Sequence, residues 1–330
     1  MNSLYIDDLR NTLDKLLLND ASVYVIGEDI VEPYGGAFKV TKGLSTKYPG
    51  RLISMPMSEQ GYTGLGIGMS LNNLKPIVEI MFGDFITLTA DQMINHIAKF
   101  HEMYGICTNF VLRTPSGGYR GYGATHSQSL EKIFLGIPGI KVISPSVINH
   151  PGELLSTAIN IGMPVLLVEN KLDYSRELIN EGIYNDIIEI TTSISDFPVK
   201  KAKVINEKPE ITIIAYGGLV QVILEIMEQV FMEEEIPIEL ISLSDISHVN
   251  FEKLTELISS TNILIIEESH VDFGWGDHIV SNLVNRIKYA NLENIGSKLS
   301  YIPSAKVLED DVLIQKHDII KKVLDIVENI

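Results

Sequence analysis

Four short stretches carry side chains able to do acid–base or binding chemistry. In the first, Glu28 and Asp29 close an apolar run and precede Pro33-Tyr34-Gly35-Gly36. Two carboxylates at a strand end could wall a polar pocket, or simply cap the strand before a turn. In the second, Ser58-Glu59-Gln60-Gly61 opens a helical stretch. Ser58 would be the N-cap, and the helix dipole favours a carboxylate at Glu59. The third pairs Phe82 and Phe85 around Gly83-Asp84. Aromatic rings there serve the core or stack on a flat ligand. The fourth, R-T-P-S-G-G-Y-R-G-Y-G over 113–123, leads to His126-Ser127-Gln128-Ser129. Long loops of this kind inside compact domains are usually functional, and this one is expected to be mobile and outside the core. It delivers His126, a group suited to proton transfer or substrate binding near neutral pH.

Other chemistries are excluded by type and spacing. Gly64, Gly66 and Gly68 read G-x-x-G-x-G-x-G with Gly61, inside a helical stretch. No acidic ribose partner follows a strand at the usual distance, so this is not a dinucleotide loop. The glycines are expected instead to let that helix pack closely on a neighbour. The eight histidines include no H-E-x-x-H, and His96 and His101 lie five apart, off a common helix face. A histidine metal site is therefore not expected. Cys107 is alone, which excludes a disulfide within the chain and a cysteine zinc cage. Acidic residues outnumber basic ones 43 to 26, a formal charge of −17, which disfavours nucleic acid and anionic lipid as partners. No apolar run approaches the ~20 residues that span a membrane, and residues 1–10 do not form a signal peptide. A cytoplasmic protein is expected.

These residues need a scaffold, and 330 residues suggest two domains. Apolar runs at 22–27, 76–81, 109–114, 141–144 and 164–169 read as strands, with helices over 84–104 and 146–161. Short apolar strands alternating with helices predict a parallel sheet covered on both faces. The pattern turns polar over about 172–201, which reads as a linker with one edge strand. A second series follows, with strands at 211–215, 238–243, 263–267 and 299–302 and helices at 219–230, 251–258, 275–288 and 314–328. The expected fold class is α/β, with two doubly wound domains: 1–175, a linker 176–203, and 204–330. In such sheets, sites lie beyond the carboxyl ends of strands, where all four stretches fall.

In order, G-E-D, Y-G-G-A-F-K-V-T-K-G-L, S-E-Q-G, F-G-D-F, D-Q-M-I-N, R-T-P-S-G-G, H-S-Q-S and P-G-I-K-V-I-S-P-S run through the chain. This set resembles the β subunit of thiamine-diphosphate-dependent 2-oxo acid dehydrogenase first components, of the pyruvate, branched-chain and acetoin types. The resemblance covers nearly the whole chain; 212–217, 267–276 and 308–310 are similar to that family's C-terminal transketolase-like domain. It implies an N-terminal pyrimidine-binding domain that binds thiamine diphosphate. Glu59 would hydrogen-bond N1′ of the aminopyrimidine, favouring the tautomer that removes the thiazolium C2 proton. Phe85 would stack on that ring, and Glu28 would be a pocket acid beside it. His126 would face the substrate and assist proton transfer or reductive acylation of a lipoyl group.

The family places the diphosphate and Mg²⁺ on an α subunit, through a Gly-Asp-Gly segment that is missing here. The resemblance therefore implies half an active site, completed in an α₂β₂ heterotetramer, with a lipoyl acyltransferase core as a further partner and a pyruvate-like 2-oxo acid as substrate. Residues 242–250 lack the Arg-Thr and Pro-Leu-Asp elements common in the family, and Tyr62-Thr63 and 87–89 replace smaller or more apolar residues. Those departures leave the particular acid and the acyl acceptor open. Two other readings share the fold: the pyrimidine-binding half of a two-chain transketolase-like carboligase, and a non-catalytic assembly subunit.

Overall fold

A computed structural model of the chain describes residues 3–193 and 195–328. Six strands form the first sheet: β1 (Val23–Glu28), β2 (Leu52–Met55), β3 (Lys75–Glu79), β4 (Phe110–Ser116), β5 (Lys141–Ile143) and β6 (Pro164–Asn170). They run in the order β2-β1-β3-β4-β6-β5, and every pairing is parallel. Seven strands form the second sheet: β7 (Gly182–Tyr184), β8 (Ile188–Thr192), β9 (Val199–Val204), β10 (Ile211–Ala215), β11 (Ile238–Leu243), β12 (Asn262–His270) and β13 (Asn291–Ser297). Their order is β13-β12-β10-β11-β9-β8-β7, parallel from β13 to β11 and antiparallel from β11 to β7. The expected two-domain α/β architecture is the one observed.

Strand periodicity sorts the core into layers. In the first sheet Val23, Val25, Ile77, Val111, Val165 and Leu167 face one way. They meet the helix Tyr5–Asn19, whose Tyr5, Leu9, Leu13 and Leu17 recur every four residues as one buried stripe. The helix Pro151–Ala158 completes that layer. The alternate residues Ile26, Val78, Phe110, Leu112 and Leu166 face the opposite way. They share a single cluster with Ile214, Ile241, Ile263, Ile265 and Trp275 of the second sheet. Leu219–Glu234 and Lys316–Glu328 cover the far side of that second sheet. The inner faces of the two sheets thus belong to one continuous core. Among the described residues no helix is long and apolar enough to cross a membrane.

Several local expectations change. The segment expected to be one helix over 84–104 is a 3₁₀ turn at Gly83–Thr89, a π turn at Asp91–His96, a second 3₁₀ turn and a short α-helix at Phe100–Tyr104. Thr87 and Thr89 hydroxyls bond the carbonyls of Asp84 and Ile86 at 3.0 and 2.8 Å, three residues back. Such bonds compete with a regular α ladder. The helix expected over 146–161 begins only at Pro151, which occupies its first turn without losing a hydrogen bond. The polar stretch after 172 carries three strands, β7 to β9, where one was expected. Ile188, Ile190, Ala202 and Val204 bury one face of that hairpin series. Residues 299–302 are not a strand; the last strand is the more polar β13, at 291–297.

Candidate active site

The carboxyl edge of the first sheet carries all four stretches. Glu28 ends β1, the helix Glu59–Leu71 follows β2, Phe82 and Phe85 follow β3, and the glycine-rich loop follows β4. This is where open parallel sheets bind ligands, because the chain leaves each strand there with backbone groups unpaired.

An acidic corner forms between β1 and the helix. Ser58 occupies the N-cap position, but its side chain makes no capping bond. Glu59 is the first helical residue and is 8% exposed. Among the described residues nothing donates a hydrogen bond to its carboxylate, although the helix N-terminus favours negative charge there. Glu28 is half-buried. Burial pushes its carboxyl above the ordinary range, and the charges of Glu59 and Asp29 push it further. One turn along the helix, the Tyr62 hydroxyl is buried and unpartnered, as is the Thr63 hydroxyl. Burial raises the Tyr62 phenol strongly, and the carboxylates of Glu59, Glu28 and Glu79 add to it. Of the three glycines, only Gly66 is close to the sheet: a Cβ there would lie 2.7 Å from Val78 and 3.1 Å from Phe110. Gly64 and Gly68 have no such neighbour.

An aromatic corner holds the histidine. The His126 ring stands edge-on to Phe82 at 4.7 Å and to Phe85 at 5.2 Å. Phe82 also meets Tyr122 at 6.0 Å and Phe38 at 5.7 Å. His126 is half-buried, with Nδ1 3.0 Å from the Thr125 hydroxyl. Close by, Asp84 is 6% exposed, and its Oδ1 accepts from the Gln128 backbone at 3.2 Å and side chain at 2.8 Å. Its Oδ2 is buried without a partner. The structure therefore joins Phe85 with His126 and Glu28 with Glu59. The helix bearing Glu59 packs on the 83–89 turn bearing Phe85, which puts the two corners side by side.

The glycine-rich loop does not hang free, contrary to expectation. Gly118 donates to Glu268 Oε1 at 2.7 Å, Gly121 donates to the Glu309 carboxylate at 3.0 Å, and the Tyr119 hydroxyl donates to the Ile314 carbonyl at 2.7 Å. All three acceptors belong to the second domain. Asn170, at the end of β6, donates to the other oxygen of Glu268 at 2.8 Å.

Comparison with known proteins gives the family. Residues 5–176 match the family described as transketolase, pyrimidine binding domain, and residues 200–319 match transketolase, C-terminal domain. The chain is 32% identical over 326 residues to the mitochondrial pyruvate dehydrogenase E1 component subunit beta of Dictyostelium discoideum, covering 95% of this chain and 88% of that protein. It is 32% identical over 323 residues to the same subunit of Rickettsia conorii, covering 96% and 95%. The chain belongs to the pyruvate dehydrogenase E1 β-subunit family. A split-gene transketolase, described as an inactive β4 tetramer, shares the fold with a TM-score of 0.71 at 16% identity over 99% of both chains. Transketolase from Leishmania mexicana does so at 0.66 and 14%, over 98% of this chain and 45% of that one.

Beneath the site of this E1 β-family chain lies a buried ionic layer that the sequence reading passed over. Arg113 is 1% exposed; it donates to both Glu169 oxygens, at 2.8 and 2.5 Å, and to Glu79. The Tyr174 hydroxyl donates to Glu169 at 2.5 Å. Burial raises Glu79, and the Arg113 charge opposes that rise. Glu131, five residues beyond His126, is 3% exposed and accepts from the Tyr216 hydroxyl of the second domain at 2.9 Å. Arg113 sits at the centre of the fully buried β4, and a cation in the middle of such a strand is the signal that could have flagged it. For Glu131 the sequence offers no signal beyond a charged residue in an apolar neighbourhood, whereas Asp84 lies within the Phe82–Phe85 stretch.

Proposed function

We propose that this chain is the β subunit of a thiamine-diphosphate-dependent 2-oxo acid dehydrogenase, which decarboxylates a pyruvate-like acid and passes the acyl group to a lipoyl carrier. The observation that carries this reading is Glu59: a nearly buried carboxylate at a helix start, with no donor of its own, beside the Phe82–Phe85–His126 aromatic corner. A carboxylate that no group of the chain engages is free to accept from a ligand, and the buried, unpartnered Tyr62 and Thr63 hydroxyls beside it are costly unless a ligand supplies partners. The residues fit the cofactor: Glu59 accepts from a protonated ring nitrogen, and the orphan Tyr62 and Thr63 hydroxyls offer further polar contacts. Phe85 offers an aromatic surface for the ring.

Bound thiamine diphosphate supplies a carbon nucleophile and an electron sink for decarboxylation. Glu59 holds a proton at N1′ and thereby sets the basicity of the neighbouring amino nitrogen. Glu28 shares the acidic corner, where burial and the charges of Glu59 and Asp29 raise its affinity for a proton. His126 moves a proton at the substrate oxygen or the lipoyl sulfur. The diphosphate and Mg²⁺ fall to an α partner in an α₂β₂ assembly. Two facts support this: the sequence has no Gly-Asp-Gly, and the relatives are named as beta subunits.

The test uses the chain co-expressed with its α subunit. Wild type is expected to bind thiamine diphosphate and to oxidise one 2-oxo acid with an artificial acceptor. Glu59→Gln should lower that rate by ~10²–10⁴-fold, the range of a lost acid–base group, while leaving assembly intact. Wild-type rates in Glu59→Gln would sink the proposal. Cofactor binding without oxidation of any 2-oxo acid would transfer the reading to a two-chain carboligase.

A further inference from the structure

We propose that Lys171 is the positioning residue that sets His126, by tying both ends of the glycine-rich loop to the end of strand β6. This role rests on the site reading above and deepens it. Lys171 is 1% exposed and directly follows β6. Its ammonium donates to the Gly117 carbonyl at 2.6 Å and to the His126 carbonyl at 2.6 Å. Those carbonyls lie at the two ends of the loop, so one side chain closes it. The Lys171 backbone adds two further bonds: its N–H donates to Ser116 at 3.1 Å, and its carbonyl accepts from Arg120 at 3.2 Å.

The environment of the ammonium separates this role from ordinary ion pairing. Among the described residues Lys171 has no carboxylate within salt-bridge distance. Aromatic faces supply the rest of its shell, Phe82 at 5.3 Å and Tyr122 at 6.0 Å. Phe82 is the ring that meets His126 edge-on, so Lys171 touches His126 through its backbone and supports the ring beside it. Carbonyl dipoles and π faces stabilise a buried cation less than a carboxylate does. Burial accordingly pushes the amine down to about 8; the nearby charges of Asp84, Glu268 and Glu309 resist the fall and Arg120 assists it. The charge-assisted bonds to the loop weaken as that proton is lost.

The two anchors divide the loop between them. The second domain holds the middle of the loop through Glu268, Glu309 and the Ile314 carbonyl, whereas Lys171 holds its ends. At the histidine end the other ties are the His126 N–H to Gly123 at 3.2 Å, the Thr125 hydroxyl against His126 Nδ1, the Ser116 hydroxyl to the Gln128 carbonyl at 3.2 Å, the Gln128–Asp84 pair, and the Phe82 and Phe85 rings. Loss of the lysine should displace His126 without unfolding the sheet. A displacement of about 1 Å can cost ~10²-fold in rate.

Lys171→Met and Lys171→Arg are compared with wild type as complexes with the α subunit. Lys171→Met should lower kcat by ~10–100-fold, with KM for the 2-oxo acid and cofactor affinity within about threefold. Lys171→Arg should recover much of that loss. In wild type kcat should fall as pH rises above about 8; in Lys171→Arg that alkaline fall should disappear. Trypsin cleavage after the exposed Arg120 should accelerate several-fold in Lys171→Met, a readout independent of catalysis. Wild-type kcat together with unchanged cleavage in Lys171→Met overturns the proposal, as does an unchanged alkaline fall in Lys171→Arg. Should Lys171→Met fail to fold by circular dichroism, the arginine variant decides. If wild type oxidises no 2-oxo acid, the functional reading fails, and the cleavage rate still judges the role of the lysine.

Discussion

Glu131→Gln should make the folded chain more stable at alkaline pH and leave it little changed near pH 5. The Glu131 carboxyl is sealed between the domains: Oε1 accepts from Tyr216, Oε2 has no partner, and Glu267 and Glu268 lie close enough to repel its charge. Burial, ahead of those neighbours, lifts its pKa from the ordinary 4.5 to about 7; its backbone bond and Tyr216 pull the other way. The sign follows from linkage. Between pH 4.5 and 7 the folded chain keeps a proton that the unfolded chain has released, so stability falls as pH rises through that window. A difference of about 2.5 units corresponds to about 3 kcal/mol at 1.36 kcal/mol per unit, fully lost above pH 7. Glutamine carries no charge to bury, but its unpaired amide group costs about 1 kcal/mol, so a net gain of about 2 kcal/mol is expected at pH 8. Trp275 is the only tryptophan and is 1% exposed in the shared core, so its fluorescence reports urea unfolding directly. A wild-type-minus-variant difference that stays flat from pH 5 to pH 8, or a weaker variant at pH 8, would refute the reasoning.

Arg113→Met leaves Glu79 and Glu169 buried without their cation and should cost ~3–5 kcal/mol. Thermal unfolding measures it, and adding Glu79→Gln and Glu169→Gln should restore part of the loss. Gly117→Ala imposes a side chain at φ +94° and puts Cβ 2.5 Å from Glu268 Oε1. It should cost at least ~1–2 kcal/mol and, by displacing Glu268 from Gly118, speed trypsin cleavage at Arg120; unchanged cleavage would show that the Glu268 contact does not hold the loop.

Where the sequence was legible, a single periodicity decided the matter. β1, β3, β4 and β6 are apolar on both faces, and such runs read as buried parallel strands whichever way each residue points. The strands missed or misplaced are the short or more polar ones, whether at an edge, as β2, β7 and β13, or inside the sheet, as β8 and β9. β2 is four residues with one buried position, β13 is mostly half-exposed, and β7 to β9 alternate polar and apolar residues as a loop can. The helix expected over 84–104 failed because its apolar spacing is helical while Thr87 and Thr89 spend their hydroxyls on local carbonyls. The proposed site residues Glu28, Glu59, Phe85 and His126 could be singled out in the sequence because each stands in a short motif at or after the end of a strand. Lys171 and Glu131 could not, since a buried polar residue outside such a motif declares itself only through the partners that three-dimensional packing brings.

The glycine-rich loop shows why composition misled about mobility. A run with four glycines between 117 and 123 suggests a chain free to move. Gly117, however, lies at φ +94°, a conformation that L side chains rarely adopt, with a Glu268 oxygen 2.5 Å from where a Cβ would be. Gly118 has ordinary φ, but its missing Cβ would lie 2.4 Å from Leu313 of the second domain. Neither glycine is there for freedom: one permits a turn, and the other permits the two domains to touch. The loop that carries His126 is therefore set by the second domain at its middle and by Lys171 at its ends. A substitution in the second domain, far along the chain from every motif that suggested the site, can move the histidine. Glu268 and Glu309 thus hold the loop that carries His126 although neither belongs to the pyrimidine-binding domain.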